Sequence, residues 1–130
     1  MYIKSDYFIP LKYPDPHGFG DKYRPIFPPR HTTLKTIMDN LPDTIEQVWI
    51  FGSSIRWDAG TLSGLDVLLV GELSKNDYFK IINAVPDGQL LNILDISSEE
   101  LHNRLNSENY SIYDKIMEMG YLFYEKETKL

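Results

Sequence analysis

The chain has no cysteine among its 130 residues. This excludes disulfides, thiolate-held zinc and cysteine nucleophiles, and fits a reducing, cytoplasmic setting. It has no apolar run long enough to span a membrane, and the opening MYIKSDYFIP is interrupted by Lys4 and Asp6, unlike the core of a signal peptide. No membrane association is expected. Excess positive charge is also missing. A formal net charge of −6 and a pI near 4.9 argue against bulk binding to a nucleic-acid backbone. His17, His31 and His102 show no metal-ligand spacing, and no serine sits in a Gly-x-Ser-x-Gly elbow, so zinc-enzyme and serine-hydrolase readings have no support. Repeats, heptads and low-complexity tracts are absent as well.

What is present is ordinary globular usage, 42% hydrophobic and 25% charged, in a length that suits one domain with a real core. Residues 1–31 read as a proline- and aromatic-rich arm. Pro14, Pro16, Pro25, Pro28 and Pro29, with Gly18 and Gly20, disfavour helix or central strand there. Tyr13, Phe19, Tyr23 and Phe27 make the arm too aromatic for a disordered linker, so it should lie ordered across its own domain or onto a partner.

Residues 32–130 read as the domain proper. Leu34, Ile37, Met38 and Leu41 give a helical stripe capped at Thr32 or Thr33 and stopped by Pro42. Strands are expected over Gln47–Phe51 and Asp66–Val70, the second ended by Gly71. Ser74 and Asp77 open a helix that runs to Pro86, and a strand follows over Gln89–Ile96. In that strand Leu91, Ile93 and Asp95 share a face, and an aspartate in so apolar a run demands a reason if it is buried. Ser98–Gly120 reads as helical, and Tyr121–Tyr124 as a terminal strand or extended tail.

The stretch VWIFGSSIRWDAGTLSGLDVLLV, Val48 to Val70, carries the chemistry. Gly52 lets backbone approach an anion without a Cβ in the way, and the Ser53 hydroxyl can donate to a phosphate oxygen. Ten residues after this pair, Gly64 and Asp66 open the second strand. This pattern resembles the nucleotidyltransferase superfamily, especially its minimal nucleotidyltransferase members, whose motif is Gly-Ser, ten residues, then Asp-x-Asp. The first motif aspartate is replaced here by Gly64.

The resemblance implies an α/β (α+β) domain with a small mixed β-sheet backed by helices, the polymerase-beta-like fold, over roughly Thr32 to Tyr124. It implies Gly52, Ser53, Arg56 and Ser63 near the phosphates of ATP or another NTP. Asp66 and Asp95 would be catalytic carboxylates and ligands of Mg2+. The implied activity is transfer of a nucleoside monophosphate, AMP first among them, to a hydroxyl of a protein, RNA or small molecule. The implied partner is a nucleotide together with an acceptor such as a HEPN-type toxin, with oligomerisation possible. Arg56 serves the phosphates in this reading or pairs with a carboxylate such as Asp58 in a structural one.

In-line transfer at phosphorus relies on metal ions held by carboxylates, and Gly64 offers no ligand. The sequence therefore sustains two readings: a transferase weakened at Gly64, or a catalytically inactive domain of the same fold that binds a nucleotide or a protein. The enzymatic reading requires the 52–53 turn, Asp66 and Asp95 to face one cleft.

Overall fold

The computed structural model describes residues 2–3, 8–10, 23–25, 28–52, 64–85 and 91–126. In chain order the elements are β1 (Tyr2–Ile3), β2 (Phe8–Pro10), β3 (Tyr23–Pro25), α1 (Pro28–Asp39), β4 (Ile45–Phe51), β5 (Leu65–Gly71), α2 (Lys75–Ala84), β6 (Leu91–Ile96), α3 (Ser98–Leu105), α4 (Ile112–Met119) and β7 (Tyr121–Glu125). The main sheet runs β1-β7-β4-β5-β6. Its pairs are antiparallel except β5 with β6, which are parallel and joined through α2. Strands β2 and β3 form a separate two-stranded antiparallel ribbon.

The α+β class and the mixed sheet backed by helices are as expected, with helices on both faces. On one side α1 and α2 bring Leu34, Ile37 and Ile81 onto Ile45, Ile50, Leu65, Val67 and Leu69. On the other, Leu101 of α3 and Ile116 of α4 cover Leu68, Val70 and Ile96. Strand alternation explains the split, because successive side chains of β5 point to opposite layers. Residues such as Ile37, Ile50, Leu65 and Leu68 are fully enclosed, each worth about 1.5–3 kcal/mol of burial.

The largest departures from expectation lie at the start of α1 and within 98–120. Helix α1 begins at Pro28 rather than at Thr32, because prolines need no N–H partner in a helix's first turn. Residues assigned to the arm thus belong to this helix, and Tyr2–Ile3 pairs with Tyr124 and Glu125 at the edge of the main sheet. The stretch 98–120 is two helices. Asn106, Ser107 and Asn109 offer side chains that compete with helical hydrogen bonding. Asp114 then restarts the helix by accepting from the Ser111 backbone N–H at 2.7 Å and from its hydroxyl at 3.0 Å. Ser74 and Ser97 cap α2 and α3, each accepting a backbone N–H at 3.1 Å.

Candidate functional site

Strand β4 ends where β5 begins, so the start of the motif loop sits beside the aspartate. Phe51 and Asp66 are directly paired in the antiparallel register. Gly52 follows with a φ of 68°, in the left-handed region that a side chain resists. A Cβ built there would lie 2.6 Å from Oδ2 of Asp66. Glycine is required at 52 on both counts, and the group pressed against it is the Asp66 carboxylate itself. Asp66 is half-buried, and both it and Gly64 make interactions of their own. The expected neighbourhood of Gly52 and Asp66 is therefore present. Ser53, Arg56 and Ser63 lie outside the described residues.

Asp95 is placed elsewhere. The parallel register sets Asp66 beside Asn92 and Leu69 beside Asp95. Asp95 is three residues further along its strand, about 10 Å at the usual strand rise. Three is odd, so it also points to the other face. The packing agrees: Leu91 and Ile93 join the layer under α1 and α2, whereas Leu94 joins Leu68 and Val70 under α3 and α4. Asp66 shares the parity of Leu68, and Asp95 that of Ile93, with which it lines a groove against α2. The expectation that Asp66 and Asp95 face one cleft as joint carboxylates is corrected by this geometry. Asp95 is moreover exposed, so no burial cost calls for a catalytic explanation.

The residue of β6 that stands next to Asp66 on its own face is Asn92, which the reading of the sequence passed over. The signal was available, because Asn92 shares the parity of Leu94 and Ile96. The register between the two strands, which the sequence does not spell out, was needed to use it.

Among the described residues the donor set falls short of a magnesium-dependent transfer site. Gly64, one strand repeat before Asp66, supplies no oxygen from a side chain, and Asn92 supplies a neutral amide where a second anion would stand. Among the described residues no group of three or more His, Cys, Asp or Glu side chains could hold a metal ion. Beside Gly52 the described residues of this face offer one carboxylate, an amide and a glycine, a set that can bind by hydrogen bonding and is poor at gathering a divalent cation.

No protein-family model and no curated protein matches the chain. Among solved structures it is similar to a protein from Sulfolobus solfataricus described as a "putative nucleotidyltransferase", at a TM-score of 0.48 and 18% identity, over 75% of this chain and 84% of that one. No described helix is long and apolar enough to cross a membrane.

Proposed function

We propose that this chain is a nucleotidyltransferase-like domain whose metal-holding positions have been emptied, and that it works by binding a protein partner rather than by transferring a nucleotide. The observation that carries the reading is the pairing of Asp66 with Asn92, combined with Gly64 two residues before it. A transfer site of this type concentrates carboxylates so that metal ions neutralise the triphosphate and the developing charge. Among the described residues Asp66 is the one carboxylate beside Gly52, which holds a divalent cation weakly, so a polyphosphate brought there meets repulsion from Asp66 without a metal ion to screen it. That repulsion disfavours the nucleotide and leaves the protein surface as the working part. On the motif resemblance, the partner class is a helical protein of the HEPN type.

The reading is tested by label transfer from radioactive NTPs in magnesium, comparing the natural chain with Gly64→Asp/Asn92→Asp. The natural chain is expected to transfer nothing. The double variant is expected to gain manganese binding by calorimetry, whether or not it regains turnover. Transfer by the natural chain would overturn the proposal, and affinity for ATP that depends on magnesium would move it to nucleotide binding.

A further inference from the structure

Strand β6 closes one side of the main sheet, and no described strand pairs with its outer edge. Alongside it, β6 and α2 frame a groove of about 450 Å3 lined by Ile93, Asp95, Lys75, Tyr78 and Phe79 among others. Phe79 is 56% exposed, an unusual position for so large an apolar ring, and meets Tyr78 edge-on at 5.8 Å. Lys75 and Asp95 are exposed opposite charges in one groove. Neither side chain makes a hydrogen bond or ion pair within the described part of the chain.

The groove is shallow, with Lys75, Phe79 and Asp95 all open to water, so a small molecule would stay largely solvated in it. A polypeptide gains more, because an added strand satisfies the backbone groups on the free edge as well as the side chains. The charges decide which polypeptide. A surface carrying one acid and one base is complementary to itself under two-fold rotation, since each copy's Lys75 can meet the Asp95 of the other.

We propose that this groove is the interface of a homodimer in which β6 strands of two copies pair antiparallel. Like faces continue across such a junction only in registers that keep residue parity. Centred on Leu94, the register sets Asp95 opposite Ile93 of the second copy and Asn92 opposite Ile96. It thereby avoids the facing Asp95 pair that a centre on Asp95 would create. The two Phe79 rings lie at the rim and lose water on association.

The test is sedimentation velocity over a concentration series, with circular dichroism to confirm that each variant is folded. The natural chain is expected to show a monomer–dimer equilibrium. Lys75→Glu and Asp95→Lys should each weaken association by about tenfold or more, because like charges then meet twice across the axis. The exchange variant Lys75→Glu/Asp95→Lys should restore it to within about threefold of the natural chain, and Phe79→Ser should weaken it independently of charge. A natural chain that stays monomeric at its highest soluble concentration overturns the proposal. So does a dimer indifferent to the single reversals, or a double variant that dimerises no better than either single one.

Discussion

Asp66 and Asp95 are both aspartates set in apolar strands of this chain, and they have opposite circumstances. Asp66 is half-buried, engaged, and pressed against a glycine whose backbone a side chain would resist. Asp95 is exposed on an edge strand, on the other face of the sheet, beside a lysine with which it does not pair. Their difference shows how much a strand's parity decides. An odd offset of three residues separates Asp95 from Asn92, the position in β6 that adjoins Asp66.

The strongest way to sharpen the comparison is to add carboxylates on each face and ask which one gathers a metal. Asn92→Asp combined with Gly64→Asp should raise manganese affinity by about two orders of magnitude or more, since ligand charge tunes such sites over several decades. Asp95→Asn should leave the gain of the double variant unchanged. If Asp95→Asn abolishes it, the two acids share a cleft after all, and the placement of β6 is wrong.

A smaller effect is expected at Gly52. Gly52→Ala forces a Cβ into the left-handed region and toward Asp66 Oδ2, and should cost about 1–3 kcal/mol in urea denaturation. Shortening the acid removes the steric part. In Asp66→Ala the same Gly52 change should cost about 1 kcal/mol, the residue of backbone strain alone. Equal costs in both backgrounds would mean that Asp66 is not what glycine accommodates.

Much of this layout was legible beforehand. The stripe Leu34, Ile37, Met38 and Leu41 did place α1 on the core, and Gly71 and Gly120 did end their elements, because periodicity and backbone geometry are local properties. The neighbourhood of Gly52 and Asp66 was legible for the same reason, since a strand–loop–strand unit brings its own ends together. The partner of Asp66 on β6 was not. It depends on the register between two strands separated by a helix, and a shift of one residue there reverses every assignment. The expectation chose Asp95 because a charge in an apolar run looked costly. Its exposure at the sheet edge removes that cost, and Asn92, lacking charge, gave no comparable signal. The start of α1 is hidden by Pro28 and Pro29, which disfavour a helix interior and are tolerated in its first turn.

A carboxylate does influence a buried group elsewhere in the fold. Burial raises the Tyr124 phenol above its ordinary value of 10.0, and Asp43 adds to the shift. The neutral phenol is thus favoured in the folded state. Its contribution to stability is complete below the unfolded value and is lost as pH climbs through the higher folded one. Denaturation midpoints measured above pH 10 should therefore fall with pH. Tyr124→Phe should flatten that decline, and Asp43→Asn should make it slightly smaller, because the folded value then lies nearer the unfolded one. A decline unaffected by Tyr124→Phe would assign it to other groups.

The smallest expected effect is the most exacting for the contrast between the two acids. Under conditions dilute enough to keep the chain monomeric, Asp95→Ala should change unfolding free energy by no more than about 0.5 kcal/mol, as for an exposed side chain without partners. Asp66→Ala should cost more than that, because it removes a half-buried side chain packed against Gly52 and leaves a gap there. The comparison also bears on the edge of the sheet. If Asp95→Ala leaves the monomer unmoved but alters self-association, the residue acts between copies rather than within one. If it destabilises the monomer as much as Asp66→Ala does, Asp95 serves the fold, and its position beside Lys75 gives no reason to expect a second chain.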